Sequence, residues 1–237
     1  MGIPTTRDEE WRVTNVAPIA DTPFATAPLA TVSPDETARF LIPGLSGPRL
    51  VFVDGRYAAE LSGPGIAAAG LTISTIAGAI ERVPESLEPF LARHSDYAGQ
   101  PFAALNTALF EDGALVALAD NTVADLPIQL VFLSTVTPSP AMSAPRVLVV
   151  LGRNCQVRVI ETFGSLGPAS GFTNAVTEAV VGDGSVLDHV RLQRESESAF
   201  HIGYTTFHLG RSSRSLSHAF AFGGRIARHD TVAVLDV

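Results

Sequence analysis

Cys155 carries the most reactive side chain of this chain, and it is the only cysteine among 237 residues. A cysteine thiolate is a ligand that binds iron and other soft metals. In the sequence, however, Cys155 alternates onto the same face as Val157 and Val159, opposite Gln156 and Arg158. A free cysteine on an apolar face usually behaves as a small buried hydrophobic residue. We therefore favour a buried, structural Cys155, and a single thiol excludes an internal disulfide and fits a reducing compartment.

Histidines are the next candidates for acid–base or metal chemistry. The chain has six of them: His94, His189, His201, His208, His218 and His229. None forms an H-x-H, an H-E-x-x-H or a mixed cysteine–histidine cluster, which are the spacings that metal sites use. The sequence therefore predicts surface histidines or hydrogen-bonded core histidines. A stacked fold can bring distant residues together, so sequence separation alone does not exclude a shared site.

Carboxylates of the second half could in principle form the acidic pair of a polysaccharide-cleaving β-helix. The candidates are Asp183, Asp188, Glu195 and Glu197. Aromatic residues that would line a sugar groove make up only 7% of the chain, which disfavours this interpretation. The run from Gln193 to Ser198 is predicted to be a charged, solvated turn.

Two nucleotide-binding motifs are excluded by the residues themselves. All sixteen basic residues are arginine, so the chain contains neither a phosphate-loop lysine nor a Schiff-base lysine. Gly63, Gly65 and Gly70 have the wrong spacing for a dinucleotide loop, and Pro64 interrupts them. The sequence thus identifies no catalytic, cofactor-binding or metal-binding residue, and we predict that the chain is not an enzyme.

The elements that would position these residues repeat along the chain. Gly152, Gly182 and Gly210 each stand between two strand-like runs, with spacings of 30 and 28 residues. A period of roughly 20 to 50 residues is typical of stacked architectures. We predict a mainly β protein, with a right-handed parallel β-helix (β-solenoid) core over residues 114–237. A small mixed α/β part, consisting of an arm, a hairpin and short helices, is predicted over residues 1–113.

Local signals place several elements more closely. Ser33, Pro34 and Glu36 form a helix start with a capping box, and Asp54-Gly55 predicts a type I′ hairpin. Helices are predicted over 84–94 and 101–110, and a short strand with a turn over 65–80. Strands are predicted over 114–119, 128–134, 146–151, 156–163, 174–181, 186–193, 202–209, 215–222 and 231–237.

Charge and hydropathy exclude further classes. The net charge of −8 and the isoelectric point of about 5.2 argue against a nucleic-acid-binding surface. The apolar fraction of 46% is sufficient for a large core. We recognise no signal peptide and no stretch long enough to span a membrane. The sequence therefore predicts a soluble cytoplasmic protein.

Several segments, taken in order, resemble the SufB/SufD family of the Suf iron–sulfur cluster assembly system, and SufD proteins within it. The first is the arm Pro4-Thr5-Thr6-Arg7-Asp8-Glu9-Glu10-Trp11-Arg12. The others are residues 50–57, 102–108 with Asp112-Gly113, 172–178, 192–202, and 217–220 with Gly223-Gly224-Arg225. Together they extend over nearly the whole chain.

This resemblance implies a scaffold subunit with a β-helix core flanked by helical parts. Such a subunit pairs with the paralogous SufB scaffold and supports cluster assembly driven by the SufC ATPase. The complex handles the Fe–S cluster transiently, and the resemblance implies no cofactor held by this chain. His201 and His218 match family positions without an assigned role.

The resemblance also implies that this chain is shortened at both ends, without the last coils and the helical region that contacts SufC. Its last coil would then expose unpaired strand edges, which permits a homodimer. Two other interpretations remain open. One is a β-helix carbohydrate-binding or polysaccharide-cleaving module, and the other is a truncated interaction module that only self-associates.

Overall fold

The computed structural model describes residues 2–63 and 69–236. Its helices are a 3-10 turn at Glu9–Trp11, then α1 (Ala17–Ala20), α2 (Pro34–Ala38), α3 (Ile76–Arg82), α4 (Pro84–Leu87) and α5 (Pro101–Leu109). Its strands are β1 (Arg49–Val53), β2 (Arg56–Tyr57), β3 (Leu71–Thr75), β4 (Gly113–Leu118), β5 (Ile128–Ser134), β6 (Met142–Ser143), β7 (Arg146–Leu151), β8 (Gln156–Ser165), β9 (Phe172–Val181), β10 (Val186–Arg194), β11 (Phe200–Leu209), β12 (Arg214–Ala221) and β13 (Ile226–Leu235). Pro64 and Gly65 of the rejected dinucleotide loop lie outside the described residues.

Two sheets form the walls of a β-solenoid. One has the strand order β12-β10-β8-β5-β1-β2, and the other has the order β13-β11-β9-β7-β4-β3. From β8 onward, successive strands alternate between the sheets, so each pair of strands makes one coil. Neighbouring coils pair in parallel, whereas β1–β2 and β3–β4 are antiparallel. The predicted mainly β fold with a solenoid core is confirmed.

The glycine period marks the corner at which one sheet gives way to the other. Gly152 donates its N–H to the carbonyl of Leu118 (2.8 Å), and Gly182 donates to the carbonyl of Leu151 (2.9 Å). Gly210 continues the column by donating to the carbonyl of Val181 (2.8 Å). The repeat therefore stacks backbone directly on backbone.

This stacking makes Gly182 intolerant of a side chain. A Cβ at Gly182 would clash with the backbone carbonyl groups of Gly152 and Leu151. We expect Gly182→Ala to lower the free energy of unfolding by about 1–3 kcal/mol, measured by urea denaturation. Gly63→Ala is the matched control, because its Cβ would meet only ordinary contacts at 3.5 Å or more. Equal stability of the two variants would contradict the stacked-corner account.

The interior of the first coils is apolar. Phe52, Phe132 and Phe163 occupy matching positions on β1, β5 and β8 and stack with ring centroids 5.1 and 5.0 Å apart. Small and branched aliphatic residues of β4 and β7 fill the space opposite them. The guanidinium group of Arg191 lies over the last ring, with its Cζ 4.3 Å from the centroid of Phe163. The apolar column therefore ends at a buried charge.

The N-terminal half covers the outer faces of both sheets. Trp11, Val16 and Ile19 pack with α5 on the outer face of β9 and β11. The hairpin and the segment around α2 cover β1 and β5. The capping box of Ser33 and Glu36 is present, and the Asp54-Gly55 hairpin has φ values of 49° and 83°. Both local predictions are confirmed.

The predicted helix over 84–94 is wrong beyond its first turn. α4 ends at Leu87, and Ala92 has a φ of 57°, which is incompatible with a continuing helix. The cause lies on the sheet below it. The carboxylate of Glu178 accepts N–H groups from Ala92, His94 and Ser95 at 2.9 to 3.0 Å and so fixes this segment in an open turn.

A buried polar network in the last coils

Polar side chains fill the interior of the solenoid where the apolar column ends. On β10, His189, Arg191 and Gln193 are buried, whereas Val190 and Leu192 of the opposite parity are only half-buried. Alternation along the strand places these two sets on opposite faces. The finding is that the polar face is the inner one, so each polar group needs a partner inside the protein.

Glu161 on β8 is the centre of this network and is 0% exposed. Its Oε1 accepts hydrogen bonds from Nε2 of His189 (3.0 Å) and from the hydroxyl of Thr177 (2.8 Å). Its Oε2 accepts from Nη1 of Arg191 (3.3 Å). On its other side, Nδ1 of His189 lies 3.2 Å from the hydroxyl of Ser217 on β12. One carboxylate thus ties together strands of both sheets.

Arg191 extends the network to the second carboxylate, Glu195. Its Nη2 donates to Nε2 of His201, and Nδ1 of His201 donates to Oε2 of Glu195 (2.6 Å). This order makes His201 a neutral imidazole with its proton on Nδ1. Glu195 also accepts from Thr173 (2.5 Å) and from Gln193 (3.0 Å). The predicted solvated turn over Gln193 to Ser198 is therefore wrong for Gln193 and Glu195, which are 3% and 5% exposed because they complete this network.

The hydrogen bonds keep both carboxylates ionised in spite of burial. Desolvation acts to raise the pKa of Glu161, but the hydrogen bond and charge of His189, the charge of Arg191 and the Thr177 hydroxyl outweigh it and lower the pKa to about 2. Desolvation likewise opposes ionisation of Glu195, and the hydrogen bonds from His201, Thr173 and Gln193 outweigh it and lower the pKa of Glu195.

This arrangement forms a continuous path of hydrogen bonds from Ser217 to Thr173 through alternating donors and acceptors. It can position charges, but it does not relay a proton from end to end, because Arg191 stands in the middle of the path and its guanidinium group only donates. Every carboxylate oxygen in the path is occupied by a partner of this chain. The geometry is therefore that of a rigid internal brace.

Cys155 is buried at 2% exposure, as predicted from its face. Its Sγ lies 3.0 Å from the carbonyl oxygen of Ala119. Cys155 directly precedes β8, whereas Glu161 of the polar network lies further along that strand. We expect Cys155 to resist alkylation by a thiol reagent in the native protein and to react fully after denaturation. S139C, in an exposed loop, should add one thiol that reacts at once. Rapid alkylation of native Cys155 would contradict its placement.

The remaining candidates from the sequence do not converge on one site. Asp183 accepts the backbone N–H of Arg211 at a corner between coils (2.8 Å), and Asp188 pairs with Arg158 on the outer face (2.6 Å). Glu197 is exposed, whereas Glu195 faces the interior. The acidic pair expected of a sugar-cleaving groove is therefore not formed by these four carboxylates.

The six histidines fall into four groups. His189 and His201 are hydrogen-bonded core residues, as predicted, and His218 is exposed on β12. His94 and His208 stack outside the solenoid with ring centroids 4.3 Å apart. Within residues 2–63 and 69–236, no group of three or more His, Cys, Asp or Glu side chains is arranged to hold a metal ion.

His229 forms a group of its own. It lies inside β13, and neither ring nitrogen has a hydrogen-bond partner among the described residues, although both are shielded from solvent. Burial is the main cause that lowers the pKa of His229 to about 2, and the charge of Arg191 is the second. No sequence signal distinguished His229 from the other five histidines.

Comparison with protein families gives two matches that together cover nearly all of the chain. Residues 1–130 match the SufBD protein N-terminal region. Residues 133–236 match the SufBD core domain of SUF system FeS cluster assembly. None of the described helices is long and apolar enough to cross a membrane.

Curated relatives agree with these matches. An iron–sulfur cluster assembly SufBD family protein of Synechocystis is 31% identical over 238 residues, covering 97% of this chain and 52% of the relative. The iron–sulfur cluster assembly protein SufD of Escherichia coli is 25% identical, covering 99% of this chain and 53% of the relative. Protein ABCI7, chloroplastic, of Arabidopsis thaliana is 23% identical, covering 96% of this chain and 48% of the relative. The chain spans about half the length of the curated relatives that it matches.

Proposed function

Because the chain belongs to the SufBD family of the SUF iron–sulfur cluster assembly system, we propose that it is a non-enzymatic scaffold subunit. In this proposal it pairs with a SufB-type paralogue, and a SufC-type ATPase drives assembly in the complex. The family match over both halves of the chain carries the proposal. The cluster itself is cargo that the complex handles transiently.

The architecture suits a subunit that presents a surface. The interior groups of Glu161 and Glu195 are committed to partners of the same chain, which favours a mechanical role over a catalytic one. We assign the SufB-type partner to the outer face of β12 and the residues that follow it, where side chains are exposed.

Exposed aromatic side chains support this assignment. Phe220 and Phe222 of this region are 46% and 71% exposed and stack with centroids 6.3 Å apart. Aromatic residues of this kind anchor protein interfaces. Cys155 is free and buried, which fits a reducing compartment, and we include a cytoplasmic location in the proposal.

Co-expression with the SufB-type and SufC-type proteins of the same genome, followed by size-exclusion chromatography, tests this function. We expect this chain to co-elute with the SufB-type protein, and Phe220→Glu to abolish co-elution without unfolding the chain. Val13→Glu is the control, because Val13 is 89% exposed and lies on the N-terminal arm. Elution of the wild-type chain alone would contradict the proposed pairing, and elution as a dimer of this chain would favour the self-association alternative.

A further inference from the structure

His229 lies next to the guanidinium group of Arg191 inside the solenoid. It faces Gly203 in the register of β13 and β11. Since Gly203 has no side chain, the ring of His229 and the guanidinium group of Arg191 both occupy the space that a Cβ would fill. Arg191 cannot move away freely, because Glu161 and His201 hold it. An unpartnered imidazole is thus held next to a fixed positive charge.

The charged and titratable groups around His229 come from three strands. They are Arg191 and His189 of β10, Glu161 of β8 and His201 of β11. The neighbouring inward positions of β12, Ser217 and Ala219, carry no charge. Glu161 favours protonation of His229, but burial and Arg191 act more strongly against it. A proton on His229 is therefore unfavourable while β13 is in place.

The outer face of the same strand holds the N-terminal arm. The Cζ of Arg228 lies 3.9 Å from the ring centroid of Trp11. Its Nη1 donates to the backbone carbonyl of Glu10 (2.6 Å) and lies 3.4 Å from the hydroxyl of Thr14. Asp230 orients the guanidinium group at 2.9 Å. Adjacent residues of β13 thus face Arg191 inside and clamp the arm outside.

We propose that β13 is an acid-sensitive latch, in which protonation of His229 beside Arg191 loosens the strand and frees the N-terminal arm from Arg228. Freed in this way, Trp11, Val16 and Ile19 would leave the apolar face that they share with Phe200 and Ile202. The latch would therefore uncover an apolar surface on the outside of the solenoid in acid and hide it at neutral pH.

The direction of the effect follows from proton linkage. In the loosened strand, His229 regains its ordinary pKa of 6.5, whereas in the closed strand the pKa is about 2. The open state therefore binds more protons between these values. The latch is fully stable above pH 6.5, and the ratio of open to closed molecules rises about tenfold for each pH unit below it.

Trp11 reports on the latch directly, because it is the only tryptophan of the chain. We expect its fluorescence emission to shift to longer wavelength as the pH of the whole chain falls from about 7 to about 4.5, while far-ultraviolet circular dichroism retains the β signal. His229→Gln should remove this shift, and His218→Gln, which changes an exposed histidine of neighbouring β12, should keep it. An emission maximum that does not change with pH, or one that titrates alike in both variants, would overturn the proposal.

A second variant keeps the test decisive if His229→Gln does not fold. Arg228→Gln removes the outer clamp and leaves His229 in place. We expect its Trp11 emission to lie at long wavelength already at neutral pH, with no further shift in acid. A wild-type emission spectrum in Arg228→Gln would show that Arg228 does not hold the arm and would overturn the latch.

Discussion

Arg146→Met is expected to lower the free energy of unfolding by about 3–5 kcal/mol, because it leaves the Glu178 carboxylate buried without its cation. Both side chains of this pair are 0% exposed, and they meet at 2.6 Å. Arg146 also donates to Asn106 and Thr107, which belong to α5. The variant therefore loses the connection between the outer helix and the sheet as well as the ion pair.

Chemical denaturation measures this loss, and the exposed pair Arg153–Asp120 supplies the control. Arg153→Met should produce no measurable change, since the two side chains are 71% and 43% exposed. Glu178→Leu should be as damaging as Arg146→Met, because it orphans the three N–H groups of residues 92–95. Amide hydrogen exchange in this segment should accelerate in both variants of the buried pair. If Arg146→Met were as stable as the wild type, the Arg146–Glu178 pair would not stabilise the packing of α5 on the sheet.

Glu161→Gln is the second substitution with a large expected effect. It removes the negative charge that faces Arg191 and His189 in the interior, and an uncompensated buried charge costs about 3–5 kcal/mol. Asp188→Asn, which breaks an ion pair on the outer face of the next coil, should cost less than about 1 kcal/mol. Urea denaturation at neutral pH compares the two variants.

The pH dependence of Glu161→Gln gives an independent check. The pKa of Glu161 falls from 4.5 to about 2 on folding, so its ionised form stabilises the folded state above pH 4.5 and ceases to do so as the pH falls toward 2. The stability difference between wild type and Glu161→Gln should therefore be full at neutral pH and shrink below pH 4.5. A difference that stays constant through this range would show that Glu161 is not ionised inside the solenoid.

The sequence was sufficient for the architecture because the solenoid repeats. The spacing of Gly152, Gly182 and Gly210 reports the length of one coil, and alternation of side chains reports each strand. What the alternation did not reveal is which face of β10 points inward. Val190 and Leu192 make the outer face apolar, whereas His189 and Arg191 lie inside, opposite to the usual distribution.

The partners of the buried network could have been found only by applying the coil period to polar residues. Arg191 follows Glu161 by 30 residues and lies opposite it in the register of β8 and β10. Ser217 follows His189 by 28 residues and lies opposite it in the register of β10 and β12. Each separation equals one coil, so each pair lies in one column. By contrast, no local sequence signal predicts that the helix ends at Leu87. The hydrogen bonds of Glu178 that fix the following segment join residues more than 80 positions apart.

Reconstitution of cluster assembly tests the proposed scaffold role most directly. The SufB-type and SufC-type proteins would be mixed anaerobically with ATP, iron and a sulfide source, with and without this chain. The rate of iron–sulfur cluster formation would be followed by visible absorbance. We expect faster cluster formation when the chain is present, and loss of that gain in Phe220→Glu but not in Val13→Glu. Equal rates with and without the wild-type chain would contradict the scaffold role.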